Sequence, residues 1–255
     1  EQELGFARLV SQYDIFNHLR TYEDEFPREH YYHLPEYSFA AIENHQIAAP
    51  GKNLERHLWR DAWTHHMACL LGYAGKPVFM SEGNALWRRY WHERTGATQD
   101  DLRRSAWACA TAGASFTWNG HASEYELFAY GPEGLPFSED NEFKLSENYI
   151  DILTHVMRNE VDFYRMKPHD ELLAHQQALR VYALAEPGQQ YLVFAPDGES
   201  FSLQLEAGDY SRCCWIDSKS GKKQALPPTQ SAGPEQAKAF TPPNKDTDWV
   251  LVVRK

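Results

Sequence analysis

The sequence predicts an α/β fold with a parallel sheet in residues 1–170, followed by a small antiparallel β-sandwich in residues 171–255. Two observations support this division. Before residue 170, helical patterns alternate with short apolar runs, which is typical of βα units. After it, strand-length runs follow one another about every ten residues with turn signals between them, which is typical of a sandwich.

The composition narrows the classes of function. The chain has 255 residues, with 25 Lys and Arg against 36 Asp and Glu, which gives a formal net charge of −11. Binding to a nucleic-acid backbone needs a concentrated basic face, which such an acidic chain does not favour. The sequence also contains no apolar run of membrane-spanning length. We therefore expect no nucleic-acid partner and no membrane span, in a chain whose 42% hydrophobic content suffices for a core.

The cysteines and histidines indicate neither a disulfide framework nor a metal site. No two of the four cysteines form a CxxC pair, and the adjacent Cys213 and Cys214 point to opposite faces if they lie on a strand. His65 and His66 are adjacent on a predicted helix and cannot share a face. The two histidines in residues 30–33 have no further ligand pattern beside them. We expect no metal ion and no other cofactor.

Strands and helices alternate in the first part. The strands are predicted at 18–23, 39–43, 76–82 and 114–118, and the helices at 54–73, 99–112 and 145–164, after a helix end at 4–12. Gly72 and Gly75 end the first helix. Thr98 caps the second helix, which has Asp100 and Asp101 in its first turn. Helices between consecutive strands are what a parallel sheet requires.

Five strands are predicted in the second part, at 180–185, 190–195, 201–205, 211–217 and 249–254. Turn signals such as Pro-Asp-Gly at 196–198 separate them. Residues 226–243 are rich in Pro, Ser and Gln and predict a loop, with one short strand near Ala239 and Phe240. The aromatic side chains of Tyr210, Trp215 and Trp249 either form a platform for a glycan or fill the core of a small sandwich.

Polar residues stand at the C-terminal ends of three predicted strands. These ends carry Glu43, Asn44 and His45, then Ser81 and Glu82, and then Trp118, Asn119 and His121. In a (β/α)8 barrel the active site lies at this face of the sheet. The sequence therefore predicts a convergent site there, and the aromatic content of 14% suits a protein that stacks on sugars.

Seven segments, taken together in their order along the chain, resemble those of a known family. KPVFMSEG at 76–83, LRRSAWACATAGAS at 102–115 and FTWNG at 116–120 resemble the apiosidase-like glycoside hydrolases. Four later segments resemble the collagen-binding-like β-sandwich that such enzymes commonly carry: YLVFAPDG at 191–198, WIDSKSG at 215–221, FTPP at 240–243 and DWVLVV at 248–253. The resemblance covers nearly the whole chain. It implies a partial (β/α)8 TIM-type barrel, with strands five to eight, followed by that sandwich.

The resemblance implies retaining hydrolysis of the side chains of plant or microbial polysaccharides. In the family the nucleophile is a Glu at the end of the seventh barrel strand, a place that Glu82 occupies. The acid/base carboxylate stands at the end of the fourth strand, and no residue of this chain matches it. The chain begins at Glu1 without a basic and apolar leader pattern before the fold, so either a leader has been removed or the chain is a fragment. With strands one to four missing, we expect a fragment that lacks an N-terminal segment. The alternative role for Glu82 is a salt bridge with Arg88 or Arg89.

Glu43 follows the strand next to that of Glu82, and neighbouring strands lie about 4.8 Å apart. This separation is close to the one that retaining enzymes use between their two carboxylates. Glu43 is therefore either a substitute acid/base or, as we favour, a hydrogen-bonding residue. The other candidates suit contacts with a sugar: the polar side chains of Asn44, His45, Gln46 and His121, and the indole rings of Trp87 and Trp118.

Two alternatives to a complete enzyme stay open. In a non-catalytic binding protein, the strand ends and the sandwich hold carbohydrate without cleaving it. In the other alternative, the chain is a subunit whose barrel a second chain completes, since a half-barrel leaves a sheet edge uncovered. The expected partners are thus a carbohydrate and either a second chain or an N-terminal segment. The cysteine pattern permits a cytoplasmic location, and the resemblance permits export.

Overall fold

The structure is a computed structural model, which describes residues 11–13, 39–43, 65, 68–69, 77–83, 99–118, 142–174 and 180–255. Its helices are α1 (Gln99–Thr111) and α2 (Glu142–Asn159). The strands of the first part are β1 (Ser11–Tyr13), β2 (Phe39–Glu43), β3 (Val78–Gly83) and β4 (Ser115–Trp118). Those of the second part are β5 (Lys167–Pro168), β6 (Leu173–Ala174), β7 (Tyr182–Glu186), β8 (Gln190–Ala195), β9 (Phe201–Leu203), β10 (Gly208–Tyr210), β11 (Arg212–Asp217), β12 (Lys223–Leu226), β13 (Thr229–Ser231), β14 (Lys238–Phe240) and β15 (Trp249–Arg254). No helix in the described ranges is long and apolar enough to cross a membrane.

The first four strands form a parallel sheet in the order β1-β2-β3-β4. β2, β3 and β4 lie within two residues of the strands predicted at 39–43, 76–82 and 114–118. The strand beside β2 differs from the prediction. Ser11–Tyr13 pairs with β2 in place of the strand predicted at 18–23, although residues 11 and 12 were expected to end a helix. The strand predicted at 18–23 lies outside the described residues. Three residues are too few for a period-two pattern, so only the pairing with β2 identifies β1.

The helices lie where the sequence patterns predicted them, although their ends differ by a few residues. α1 lies between β3 and β4 in the chain and confirms the helix predicted at 99–112. α2 begins three residues before its predicted start and ends at Asn159 instead of 164, where the 3-10 turn Phe163–Arg165 follows. His65, Ala68 and Cys69 are helical, as predicted for 54–73, whose other residues lie outside the described ranges.

The second part contains a six-stranded antiparallel sheet in the order β12-β11-β15-β8-β7-β5 and a three-stranded sheet in the order β14-β9-β6. β10 and β13 form a further antiparallel pair. The five predicted strands are present as β7, β8, β9, β11 and β15, and β14 is the short strand expected near residue 239. β13 lies in the segment that was predicted as a loop, because its three residues show no alternating pattern. This strand-rich part fits a sandwich.

The central strands of the six-stranded sheet are buried on both faces, whereas the outer strands β12 and β5 are largely exposed. Along β8, Tyr191 and Val193 pack in a core with the three-stranded sheet, whereas Leu192 and Phe194 pack in a second core with α1 and α2. β7, β11 and β15 repeat this alternation. Successive residues of a strand point to opposite faces, so a sheet covered on both sides needs continuous apolar runs such as those of β8 and β15. The helices, the large sheet and the small sheet are therefore three packed layers.

Tyr210, Trp215 and Trp249 fill the core between the two sheets. Their exposed fractions are 0%, 2% and 7%, and the rings of Trp215 and Trp249 meet edge to face with 6.5 Å between centroids. The glycan platform is therefore wrong for these three residues, and the core alternative is right. All four cysteines are free, and Cys213 and Cys214 pack in opposite cores, as their adjacency predicted.

A buried carboxylate joins α1 to the second part. Asp248 is fully buried and accepts hydrogen bonds from Arg103 and from Arg104, whose Nε atom lies 3.0 Å from Oδ2. The backbone amide of Asp197 donates to Oδ1 of Asp248 at 2.8 Å. Although burial raises the pKa of Asp248, the hydrogen bonds and positive charges of the two arginines lower it to about 2. The carboxylate is therefore ionised and ties together three elements that are distant in the chain.

Candidate active site

The C-terminal ends of β2, β3 and β4 meet at one edge of the parallel sheet. The register pairs Glu43 of β2 with Glu82 of β3, and Gly83 of β3 with Trp118 of β4. Neighbouring strands lie about 4.8 Å apart, so the backbones of Glu43 and Glu82 are direct neighbours. Three of the predicted site residues, Glu43, Glu82 and Trp118, therefore share this edge.

β3 is irregular at the position of the candidate nucleophile. Ile42 pairs with Met80, but the next residue, Glu43, pairs with Glu82, so β3 contains one residue more than β2 over this step. The pairing with β4 shifts in the same region, between Met80 and Gly83. Such a bulge bends its strand and re-aims side chains, and bulges are common at barrel rims and beside active sites. The backbone around Glu82 therefore has a feature that is typical of functional strand ends.

Two carboxylates on neighbouring strand ends suit the hydrolysis of glycosides. In retaining enzymes the two groups stand about 5–5.5 Å apart, where one attacks the anomeric carbon and the other transfers a proton. The spacing of adjacent strands is close to this distance. The edge of the sheet thus carries one candidate for the nucleophile, Glu82, with Glu43 at the paired position of the neighbouring strand.

Five other predicted site residues, Asn44, His45, Gln46, Trp87 and His121, lie outside the described residues. Asn44 directly follows the end of β2, and His121 comes three residues after the end of β4. Their contacts with a sugar stay predictions.

A second cluster of polar groups lies between the helix of His65 and the start of the second part. The Nε2 atom of His65 lies 2.7 Å from Asp170 Oδ2 and 3.4 Å from Cys69 Sγ, and Nδ1 lies 2.9 Å from the carbonyl oxygen of Ala108. The buried ring stacks on Tyr182 with 4.1 Å between centroids. Although burial lowers the pKa of His65, the hydrogen bonds to Asp170 and Cys69 and the charge of Asp170 raise it to about 10.

The sequence patterns did not indicate this cluster. His66, the neighbour of His65 in the chain, cannot share a helix face with it, whereas the i, i+4 spacing places Cys69 on the same face as His65. That spacing is a signal for two of the three groups. Asp170 is 105 residues away from His65 along the chain, so the tertiary structure alone brings the third group into place.

Residues 168–254 match a family model described as "Putative collagen-binding domain of a collagenase". The match confirms that the second part resembles a collagen-binding-like domain, and strands β6 to β15 lie within it. No curated protein matches the sequence.

The fold is similar to the folds of solved glycoside hydrolases. A protein named glycoside hydrolase superimposes with a TM-score of 0.63 at 16% identity, over 87% of this chain and 53% of that one. A glycoside hydrolase family 5 protein from Bacteroides vulgatus has a TM-score of 0.62 at 16% identity, over 87% of this chain and 52% of that one. The chain therefore spans about half the length of these two solved structures. At this identity, the similarity establishes the fold alone.

Proposed function

We propose that this chain is the C-terminal half of a retaining, apiosidase-like glycoside hydrolase. In this proposal, β1 to β4 are strands five to eight of a (β/α)8 barrel, and the second part is the collagen-binding-like sandwich that follows it. The parallel order of the four strands, the resemblance of residues 76–83 and 102–120, and the fold shared with solved glycoside hydrolases support it.

The register at Glu82 is the observation that carries the proposal. Glu82 stands at the C-terminal end of a parallel strand, beside a bulge and opposite a second glutamate, Glu43. Catalytic residues of barrel enzymes come from this end of the strands. A glutamate that only forms a surface salt bridge requires neither the bulge nor the neighbouring carboxylate.

In the proposed reaction, the carboxylate of Glu82 attacks the anomeric carbon of the sugar. The bond to the leaving-group oxygen breaks while that oxygen receives a proton from the acid/base carboxyl, and a covalent glycosyl ester forms. The acid/base carboxylate then takes a proton from water, whose oxygen attacks the anomeric carbon and releases Glu82. We assign the acid/base to a segment N-terminal to this chain, and to Glu43 a hydrogen-bonding role beside the nucleophile.

The proposed substrates are the side chains of plant or microbial polysaccharides. Contacts with the sugar are assigned to the polar and aromatic residues near the strand ends: Asn44, His45, Gln46, Trp87, Trp118 and His121. An N-terminal segment or a second chain completes the barrel. The N-terminal segment is favoured because the chain spans about half of the solved structures that share its fold.

Rescue by azide tests the assignment of the nucleophile. The natural protein at full length is assayed on an aryl glycoside with a good leaving group, with Glu82→Ala compared with Glu43→Ala on the neighbouring strand. We expect Glu82→Ala to lower kcat by at least roughly 1,000-fold, because the covalent route is lost. Azide then fills the vacant space, attacks the anomeric carbon and gives a glycosyl azide of inverted configuration.

The matched variant separates the two carboxylates. In Glu43→Ala the nucleophile is intact, so we expect a smaller loss of kcat and no inverted glycosyl azide. A glycosyl azide of retained configuration from Glu43→Ala would instead assign the acid/base to Glu43. Undiminished hydrolysis by Glu82→Ala contradicts the proposal, and binding of polysaccharide without release of sugar by the unchanged protein supports the non-catalytic alternative.

A further inference from the structure

Three groups that bind transition metals converge on one point between the helix of His65 and the second part. The Nε2 atom of His65, Sγ of Cys69 and a carboxylate oxygen of Asp170 all lie within 4.8 Å of one another. His65 is fully buried, whereas Cys69 and Asp170 are partly exposed. The site therefore has one firmly held ligand and a side that solvent reaches.

The ring nitrogen of His65 that faces away from the cluster, Nδ1, makes the hydrogen bond that is typical of metal-binding histidines. Nδ1 lies 2.9 Å from the carbonyl oxygen of Ala108, which only accepts hydrogen bonds, so Nδ1 carries a proton and donates it. The nearby hydroxyl of Thr111, 3.2 Å from Nδ1, points its own proton at the carbonyl oxygen of Trp107. Metal-ligating histidines almost always donate their second ring N–H to a carbonyl or carboxylate, which orients the ring.

Nε2 of His65 cannot form good hydrogen bonds with both Asp170 and Cys69 at the same time. If Nε2 carries a proton, it donates to Asp170 at 2.7 Å and cannot accept the thiol proton of Cys69, whose Sγ lies 3.4 Å away. If Nε2 lacks a proton, it accepts from the thiol but faces an ionised carboxylate. A divalent cation at this point would use the nitrogen, the sulfur and the oxygen together.

We propose that His65, Cys69 and Asp170 form a zinc site that links the helix of His65 to the second part. Imidazole nitrogen, thiolate sulfur and carboxylate oxygen are the three ligand types that Zn²⁺ takes in proteins, and three protein ligands leave the fourth position to water. Binding of Zn²⁺ displaces the proton of Nε2 and the proton of the thiol. The total charge of the site is then zero before and after binding, so the buried region gains no net charge.

Two of the three distances between ligand atoms require little movement, and the third, between Sγ and the carboxylate oxygen, is within 4.8 Å. Zinc bonds of about 2.0 Å to nitrogen and oxygen and 2.3 Å to sulfur place tetrahedral ligands roughly 3.3–3.6 Å apart. The separation of 3.4 Å between Sγ and Nε2 already fits. The separation of 2.7 Å between Nε2 and Oδ2 has to widen by about half an ångström, through rotation of the partly exposed Asp170 carboxylate. The second oxygen of Asp170, Oδ1, accepts the amide of Ala183 at 2.8 Å and guides that rotation.

Metal titration of the chain stripped with a chelator tests the proposal. We expect one Zn²⁺ per chain by elemental analysis, a rise in melting temperature, and a thiolate-to-metal charge-transfer band when Co²⁺ replaces Zn²⁺. The variant Cys69→Ala is compared with Cys214→Ala, because both cysteines are partly buried. We expect Cys69→Ala to lose the band and to lose more than about 100-fold in Zn²⁺ affinity. Such a loss is larger than the one caused by changing a residue that only hydrogen-bonds to a metal ligand. Cys214→Ala should keep both.

Two results overturn the proposal: a stripped chain that takes up no Co²⁺ with a thiolate band, and a Cys69→Ala variant that keeps the band. If Cys69→Ala does not fold, Asp170→Asn serves instead. It is expected to keep the band and to lose at least about tenfold in Zn²⁺ affinity, and an unchanged affinity contradicts the site. None of these measurements uses glycosidase activity, so the result is independent of the proposed function.

Discussion

Asp248 is a buried carboxylate whose two oxygens are both used by groups from other elements. Oδ1 accepts from the amide of Asp197 at 2.8 Å and from Arg104 Nη2 at 2.9 Å, and Oδ2 accepts from Arg103. The side chain of Arg103 is also fully buried. A buried ion pair adds little net stability over apolar residues, but removing one partner leaves the other charge uncompensated. Single substitutions at this carboxylate are therefore expected to be costly.

The substitution Asp248→Asn keeps the shape of the side chain and removes its charge. We expect the free energy of unfolding to fall by about 3 kcal/mol or more, because Arg103 stays buried and loses the buried one of its two carboxylate partners, Asp248, which leaves only the partly exposed Asp100. Urea denaturation followed by circular dichroism measures the change. Asp246→Asn, an exposed carboxylate two residues away, is the control, with an expected effect within about 0.5 kcal/mol. Equal midpoints for the two variants would show that the pairing contributes no stability.

Asp248 also predicts how stability depends on pH. Its pKa is about 2 in the folded chain, below the ordinary 3.8, so the ionised form is bound more tightly in the folded state. Its contribution is therefore complete above pH 4 and is lost as the pH falls from about 4 to 2, by about 2 kcal/mol. Unfolding measured across this window should show a steeper loss in the unchanged chain than in Asp248→Asn. In Arg104→Gln the folded-state pKa of Asp248 moves back toward 3.8, so the loss should be smaller and should end at higher pH. An unchanged profile in both variants would argue against this linkage.

At the scale of elements, α1 is packed between the parallel sheet and the second part. Trp107 of α1 is fully buried and stacks on Phe194 of β8, with 5.8 Å between ring centroids. Cys109, on another side of the helix, packs with Val78 of β3. Arg103 lies over the ring of Tyr149 of α2 at 4.9 Å. The helix that follows the candidate nucleophile strand is thus held by contacts with both parts of the chain.

Truncation of Trp107 tests how much this packing contributes. We expect Trp107→Ala to lower the free energy of unfolding by about 3–5 kcal/mol, because it leaves a large cavity beneath β8. Trp107→Phe should cost under about 1.5 kcal/mol, since it keeps most of the ring and removes an indole N–H that has no hydrogen-bond partner in the described part of the structure. Both are measured by urea denaturation. Similar losses for the two variants would mean that the indole N–H, and not the ring volume, matters here.

At the scale of the whole molecule, the six-stranded sheet belongs to two cores. One face packs against the small sheet, and the other packs against α1 and α2, with Leu153 and Val156 of α2 among the contacts. β5, the first strand of this sheet, directly follows the turn after α2 and pairs with β7. The segment that matches the collagen-binding family is therefore one side of a shared core, and its sheet face toward the helices is not a free surface.

This arrangement predicts that residues 168–254 do not behave as an independent module. Without α1 and α2, the isolated segment exposes the apolar face formed by Leu184, Leu192, Phe194, Ile216, Val250 and Val252. We expect it to bind a hydrophobic dye and to self-associate, whereas the full chain unfolds in one transition by fluorescence and by circular dichroism. Dye binding and light scattering provide the readout. A monomeric segment with the melting temperature of the full chain would contradict a shared core.

Local patterns predicted most of the fold because they act over a few residues. β8 and β15 have the bounds that were predicted for them, since continuous apolar runs between turn signals mark strands of a sheet covered on both faces. β1, β5 and β6 were missed because strands of two or three residues have no periodicity and are defined by their partners. At the candidate site, the sequence predicted glutamates at the ends of neighbouring strands, and the bulge at Glu82 could not be predicted because it depends on the pairing of three strands.

The sequence by itself determined an α/β first part, a sandwich-like second part and the position of Glu82 at a strand end. These features follow from residue types and spacings within single elements. Only the tertiary structure decided that Glu43 stands opposite Glu82, that Asp170 reaches His65 and that Asp248 reaches α1. The last two contacts join residues 105 and 144 positions apart. Which distant groups meet depends on how the layers pack against one another, and no local pattern specifies those partners.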